Sequence, residues 1–361
     1  MVNLPTAALF LALSKPWFED LSNPTWFVFL LLWLLVVILA SAFAVVRHAE
    51  HLAVQLGEPL GTLVLTLSVT GIEVVIITAA MFTGNGNPAL ARDSMFAVIM
   101  IVLNGMVGLA LLLGGLRYHE QEYNLQGANA FLSVIMPLAV LGLMLPNFTT
   151  SSPGPTFSAV QAAFFVVMSL ALYGIFLMIQ NLRHRPYFLA PGSPETMEVE
   201  DTNSLHHDPQ MRSLRYHAAL LVIYLVPLVV LAKKLAVLLD YGIRVVGAPP
   251  GIGGFIIAAL VLSPESLGAV RAALANNLQR AVNILLGSVL ATIGLTIPAV
   301  LSIGLLTEKS VILGLDAADM TVLLLTLILS TLTFSSSRTN ILLGAVHVLV
   351  FLSYVVLIFE K

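Results

Sequence analysis

The stretch that decides the fold runs from Gly57 to Met81 and reads GEPLGTLVLTLSVTGIEVVIITAAM. It is apolar over a length that can cross a bilayer as a helix, which takes about 20 residues. Near its middle lies one carboxylate, Glu73, with Thr70 three and Thr66 seven residues earlier, so a helix places all three on one face. A charge at mid-bilayer costs about 2.5–3.5 kcal/mol even on lenient insertion scales, so Glu73 is predicted to be a functional residue.

A second stretch, from Gly253 to Ala273, reads GGFIIAALVLSPESLGAVRAA and also holds a single glutamate, Glu265. The two glutamates are 192 positions apart, and each lies in the second long apolar span of its half of the chain. This pattern predicts a duplicated chain whose two inverted repeats meet at a midplane site. Ser263 and Pro264 directly precede the second glutamate, and we expect unwound backbone there to supply carbonyl ligands.

The composition places the whole chain in the membrane. Of 361 residues, 58% are hydrophobic and only 10% are charged, whereas a soluble domain carries roughly 25% charge. The net charge is −3 and no basic block is present, so nucleic acid is not an expected partner. The absence of cysteine excludes disulfides and thiolate metal sites. Neither an HExxH nor a GxSxG motif occurs, so we expect neither an enzyme nor a resident cofactor.

The apolar pattern predicts an all-α polytopic membrane protein of 10 or 11 transmembrane helices, built as two inverted five-helix repeats. The short segment Leu4 to Leu13 is the eleventh candidate. The ten longer spans are predicted at 26–46, 59–82, 95–116, 128–146, 157–180, 217–239, 251–272, 281–306, 319–335 and 340–358.

Four segments follow from these spans: an N-terminal segment at 1–25, a first repeat at 26–180, a linker at 181–216 and a second repeat at 217–361. The linker is acidic, contains histidines and has no apolar period, so it is expected to be flexible. A slight excess of lysine and arginine on its side of the membrane predicts that it is cytoplasmic. It is either a plain connection or a regulatory, cation-sensing segment, for which the candidates are His206, His207, Glu198, Glu200 and Asp201.

Polar residues in the spans that follow the two glutamates are further candidates for binding a cation or a proton. They are Asn104 in the first half and Asn283, Ser288 and Thr292 in the second. The alternative is that they only bind a neighbouring helix, as polar residues in membranes often do. His347, in the last span, is expected to be a packing residue. The other seven histidines lie on the predicted cytoplasmic side, where we expect them to be solvated, with a pH sensor as the alternative.

Several motifs occur in order along the chain, and together they resemble the calcium/cation exchanger superfamily, most closely its ChaA-like bacterial cation/proton antiporters. The resemblance covers nearly all of the chain after about residue 40. The residues that carry it are His48-Ala49-Glu50-His51-Leu52-Ala53, Gly57, Leu60-Gly61, Glu73, Gly114-Gly115, Gln121, Tyr123-Asn124, Gly127-Ala128, Glu265, Asn276, Gly287-Ser288, Arg338, Asn340 and Gly344.

The resemblance implies a secondary antiporter of the bacterial inner membrane that exchanges Ca2+, and Na+ or K+, for protons. It implies that Glu73 and Glu265 bind the metal ion. Thr66, Thr70, Ser263 and the polar residues of the following spans are further candidate ligands by their positions. Inorganic cations, protons and the lipid bilayer are then its partners, and the sequence indicates no oligomeric state.

One departure from the family pattern concerns the choice of cation. Calcium/proton members place a Gly-Asn pair shortly before each repeat glutamate, where this chain has Val69-Thr70 and Val261-Leu262. Calcium prefers six to eight oxygen ligands, so the loss of two amides leaves a Na+ or K+/proton antiporter with little Ca2+ activity as an alternative. A cation channel is the other alternative.

Overall fold

A computed structural model of the chain describes residues 3–57, 60–81, 87–192 and 213–360, with the backbone alone at 13–16. The described residues are almost entirely helical, so the predicted all-α fold is confirmed. The α-helices are α1 (Asn3–Glu19), α2 (Pro24–Leu56), α3 (Leu60–Met81), α4 (Leu90–Ile99), α5 (Val107–Tyr118), α6 (Leu125–Leu143), α7 (Ala159–Met178), α8 (Leu214–Arg244), α9 (Gly251–Leu274), α10 (Leu278–Ala291), α11 (Ile297–Thr307), α12 (Ala317–Thr333) and α13 (Ile341–Phe359).

Every predicted span overlaps a helix. Within the described ranges, nine helical segments are long and apolar enough to cross a membrane, which confirms a polytopic membrane protein. The predicted span at 319–335 corresponds to α12, which has only 17 residues and is a shorter apolar helix. The candidate Leu4 to Leu13 lies in α1, whose apolar part is also short.

Three stretches of π-helix interrupt or end the long helices, and none was predicted from the sequence. They are π1 (Met100–Met106), π2 (Ile179–Arg183) and π3 (Thr292–Thr296). π1 joins α4 to α5, and π3 joins α10 to α11. Their first residues are 192 positions apart, which is also the separation of the two glutamates.

The prediction that the backbone unwinds near Ser263 and Pro264 is wrong. α9 continues as one helix from Gly251 to Leu274, with Pro264 inside it. Proline has no amide hydrogen, so position 264 donates no helical hydrogen bond to the carbonyl of Leu260. The local effect of the proline is therefore one helical hydrogen bond fewer.

The chain forms two compact units. The first comprises the described residues of Met1–Leu90 and Glu200–Val261, and the second those of Ala91–Val199 and Leu262–Lys361. In the first unit, α2, α3 and α8 pack against one another, and α1 lies on α8. In the second unit, α5 and π1 pack on α13, α10 packs on α6, and α7 packs on α11.

Two glycines allow α5 and α13 to pack with their backbones in contact. A β-carbon on Gly344 would lie 2.5 Å from the amide nitrogen of Leu112 and 2.9 Å from the carbonyl oxygen of Gly108. A β-carbon on Gly108 would lie 2.9 Å from the Val348 amide nitrogen. Small residues at membrane helix interfaces permit this close approach, and dispersion contacts along the shared surface stabilise it.

Motif residues between α5 and α6 form hydrogen bonds to two other loops of the second unit, the one after α9 and the one before α13. Gln121 Nε2 donates to the Ala273 carbonyl at 2.9 Å and to Asn276 Oδ1 at 3.0 Å. Gln121 lies against Gly114, where any β-carbon would collide with its amide oxygen. Gln121 also pairs with Thr339 in a two-residue antiparallel ladder formed by β1 (Gln121–Glu122) and β2 (Arg338–Thr339). The motif residues around Gln121 thus connect three loops, and we call this set of contacts the loop clasp.

Tyr123 is a second part of this clasp. Its side chain is 1% exposed, and its hydroxyl donates to the carbonyl of Ser336. Burial raises the pKa of the Tyr123 phenol well above its ordinary value. The phenol therefore stays protonated at physiological pH and remains a hydrogen-bond donor.

The predicted linker is structured over residues 181–192, contrary to the expectation of a flexible segment. Phe188 is buried against Phe131 and Phe176, with ring centroids 5.5 and 5.7 Å apart. Asn124 Nδ2 donates to the Pro186 carbonyl at 3.0 Å. These contacts anchor the start of the linker to α6 and α7. The regulatory candidates His206, His207, Glu198, Glu200 and Asp201 lie outside the described residues.

Two histidines that were expected to be solvated are buried in the first unit. His48 of α2 and His217 of α8 are 8% and 6% exposed, and their Nδ1 atoms are 3.0 Å apart. The ring of His51 lies 4.7 Å from that of His217. Apolar patterning could not predict this pair, since its members are 169 residues apart.

Candidate functional site

Glu73 is buried in the first unit, as predicted. It lies on α3, is 4% exposed, and follows Thr70, which is 6% exposed. Thr66 lies on the same helix and is half-buried. The Thr70 hydroxyl oxygen is shielded from solvent, and it neither donates a hydrogen bond to the described residues nor accepts one from them. Such a hydroxyl oxygen is chemically able to coordinate a cation, and it lies three positions before Glu73 on the same helix.

Glu265 occupies the second unit on α9. The residue is half-buried, and its carboxylate hydrogen-bonds to the hydroxyl of Ser288 on α10. Its Oε2 is shielded from solvent and has no hydrogen-bond partner within the described ranges. The structure thus brings together two of the predicted residues, Glu265 and Ser288. Ser263, two positions earlier on α9, is half-buried.

The chemistry available to such carboxylates is limited. An ionised carboxylate is an acceptor only, and burying its charge in an apolar span is costly. It can be neutralised by a proton or by a hard cation that prefers oxygen ligands. Each of the two units therefore holds a group, Glu73 or Glu265, that can bind either a proton or a cation.

Asn104 lies on π1 and is 0% exposed. Its Nδ2 donates to Thr326 Oγ1 at 2.7 Å, and its Oδ1 is 3.1 Å from His347 Nδ1. His347 is therefore a hydrogen-bonded packing residue, as expected. The contact was missed from the sequence because Asn104 and His347 are 243 residues apart.

The other two predicted polar residues of the second half, Asn283 and Thr292, lie in different parts of their span. Asn283 accepts from Gln279 Nε2 at 2.9 Å and donates to the Phe188 carbonyl at 2.7 Å, so its amide binds a loop near the start of α10. Thr292 is the first residue of π3 and is 3% exposed. Asn104 and Thr292 thus both lie on π-helix.

Residues 26–182 and 216–360 match the family model described as sodium/calcium exchanger protein, and the chain belongs to this family. The match covers both halves of the chain. The resemblance inferred from the motifs is thereby confirmed.

Two bacterial proteins are similar over most of their length. The sodium-potassium/proton antiporter ChaA of Escherichia coli (strain K12) is 42% identical over 325 residues, which cover 90% of this chain and 87% of ChaA. The putative ionic transporter y4hA of Sinorhizobium fredii (strain NBRC 101917 / NGR234) is 42% identical over 318 residues, covering 88% and 85% of the two chains.

The fold is also that of a solved exchanger. The structure of native YfkE, a Ca2+/H+ antiporter, superimposes with a TM-score of 0.74 at 17% sequence identity. The superposition covers 100% of this chain and 98% of YfkE. At this identity the likeness concerns the fold.

Proposed function

We propose that the protein is a secondary antiporter that exchanges Ca2+, Na+ or K+ for protons. The observation that carries the proposal is a carboxylate in an apolar span of each unit: Glu73, which is 4% exposed, and Glu265, whose Oε2 is shielded from solvent. Ionisable residues at such positions mark ion and proton pathways. The match to an exchanger family and the similarity to a sodium-potassium/proton antiporter support the same function.

Exchange follows from competition for the two carboxylates. Burying an ionised carboxylate in an apolar span is unfavourable, so each glutamate is neutralised either by a proton or by a bound cation. Binding of one excludes the other, and a rocking motion between two access states then moves them in opposite directions. We infer at least two protons for each Ca2+, because two protons carry the same charge as one divalent cation.

We infer a broad cation range from the neutral ligands. Hydroxyls of Thr70 and Ser288 accompany the carboxylates, whereas Leu262 offers no ligand at all. Calcium needs six to eight oxygens, so it would complete its shell with water or backbone carbonyls. Ligand sets with so few amides discriminate weakly between Ca2+ and the monovalent cations. Thr66, Ser263, Asn283, Thr292 and Asn104 are the further candidates.

The same proposal includes the repeat organisation, the membrane and the side of the membrane on which the linker lies. The chain forms two inverted five-helix repeats at 26–180 and 217–361 in a bacterial inner membrane. The matching positions of π1 and π3 support the repeats. The linker at 181–216 is cytoplasmic, in keeping with the excess of lysine and arginine on its side.

Reconstitution into proteoliposomes tests antiport against channel activity. With a pH-sensitive dye inside, addition of external Na+, K+ or Ca2+ at matched ionic strength should drive protons outward without any imposed pH gradient. Each of the three cations is expected to work. Cation flux that leaves the internal pH unchanged would show a channel, and movement of Ca2+ alone would contradict the broad range.

Replacement of Thr70 by valine tests whether the Thr70 hydroxyl binds the cation or only supports the fold. Valine has the same shape, and the Thr70 hydroxyl makes no hydrogen bond within the described structure, so the melting temperature should stay the same or rise. The apparent KM for the cation should rise because one oxygen is lost. An unchanged KM in Thr70→Val would remove Thr70 from the ligand set.

A further inference from the structure

A chain of four buried polar side chains crosses the second unit. Asn104 on π1 lies between Thr326 on α12 and His347 on α13, and His347 Nε2 is 2.9 Å from Thr333 Oγ1. All four residues are 0% exposed. The chain therefore ties π1 to two helices through side-chain hydrogen bonds that water does not reach.

The hydrogen-bond donors along this chain can be assigned. Thr326 Oγ1 donates to the Val322 carbonyl at 2.7 Å, so it accepts from Asn104 Nδ2. The Asn104 oxygen must then face His347 Nδ1, and because it can only accept, Nδ1 carries the hydrogen. A neutral ring leaves Nε2 as the acceptor for the Thr333 hydroxyl. These side-chain bonds need no charge on His347, whose ring also hydrogen-bonds to the backbone of Leu103 on π1.

The segment that His347 holds also packs against a helix that contributes to the surroundings of Glu265. π1 packs against α10, which carries Ser288, the hydroxyl partner of Glu265. π-helical turns are rare and occur often at functional sites, and their wider backbone depends on surrounding contacts to persist. Asn104, in the middle of π1, contributes the side chain that connects this segment to both α12 and α13.

We propose that His347 is a positioning residue for cation binding: its Nδ1–H group holds the Asn104 amide and thereby the π1 backbone beside α10. The inference rests on the proposed antiport function. The role needs the Nδ1 donor and no change in the ring's protonation. In this respect His347 differs from the two glutamates, which bind the transported ions.

Two amide substitutions test the two ring nitrogens separately. The amide nitrogen of asparagine mimics Nδ1 and that of glutamine mimics Nε2. His347→Asn should keep the bond to Asn104 and hold the apparent KM for Na+ near the wild-type value. His347→Gln should lose that bond and raise KM by roughly tenfold or more, as is typical when a residue that orients a ligand is removed. Its kcat should change less than its KM.

Ser330→Ala is the matched control, because Ser330 lies on α12 between the two threonines, is 0% exposed, and has a hydroxyl without a partner in the described structure. It should leave KM unchanged. Equal KM values for folded His347→Asn and His347→Gln would overturn the inference, and so would a shifted pH profile in His347→Asn, which would make the ring a proton carrier. Absence of exchange in the wild-type protein and in Ser330→Ala would instead contradict the proposed function.

Discussion

Glu73→Gln and Glu265→Gln are each expected to abolish cation/proton exchange. Glutamine keeps the shape of the side chain but is permanently neutral, so it can neither release a proton nor compensate a cation. Both glutamates lie in apolar spans, Glu73 is 4% exposed, and Glu265 has a shielded oxygen without a partner in the described structure. Removing a buried charge is also favourable for folding, so both variants should remain folded. Proton flux in proteoliposomes measures the loss.

Glu50→Gln is the control for these variants. Glu50 is exposed on α2, so the same chemical change there should leave exchange near the wild-type rate. Size-exclusion profiles and melting temperatures in detergent verify that all three variants are folded. Wild-type exchange in either Glu73→Gln or Glu265→Gln would contradict the competition mechanism.

Gly344→Ala is expected to destabilise the protein strongly. The added β-carbon would lie 2.5 Å from the Leu112 nitrogen and 2.9 Å from the Gly108 oxygen, and backbone atoms cannot move aside as a flexible side chain can. Overpacking of this kind costs about 1–3 kcal/mol, and more when helices must separate. The melting temperature in detergent should fall, and exchange should fall with it because α13 carries His347.

Gly174→Ala provides the same substitution in open space. Gly174 lies on α7 in the same unit, and nothing is within 4 Å of its added β-carbon. Alanine favours helix over glycine by about 1 kcal/mol, so this variant should melt at the wild-type temperature or above it. Equal melting temperatures for the two variants would show that α5 and α13 do not need a glycine contact.

The sequence predicted those features that depend on local composition. Spans of about 20 apolar residues identify membrane helices whatever they pack against, and a lone glutamate within such a span is costly enough to stand out. The spans and the burial of Glu73 were predictable for this reason. The pairing of Glu265 with Ser288 was only indicated, by the motif Gly287-Ser288 of the family pattern.

Features that depend on distant partners were not predictable. The π-helices need tertiary contacts, and the Asn104–His347 and His48–His217 pairs join residues far apart in sequence. The proline at 264 suggested an unwound backbone, yet α9 stays helical through it, so the surrounding packing outweighs the lost hydrogen bond. The start of the linker appeared polar, but the aromatic residue Phe188 docks it onto α6 and α7.

Cation-induced proton release from the purified protein tests the central claim most directly. In weakly buffered detergent solution, adding Na+, K+ or Ca2+ should acidify the medium, because an incoming cation displaces protons from Glu73 and Glu265. The double variant Glu73→Gln/Glu265→Gln should release none. Proton release that persists in the folded double variant would contradict the account, as would an active wild-type protein that binds cations without releasing protons.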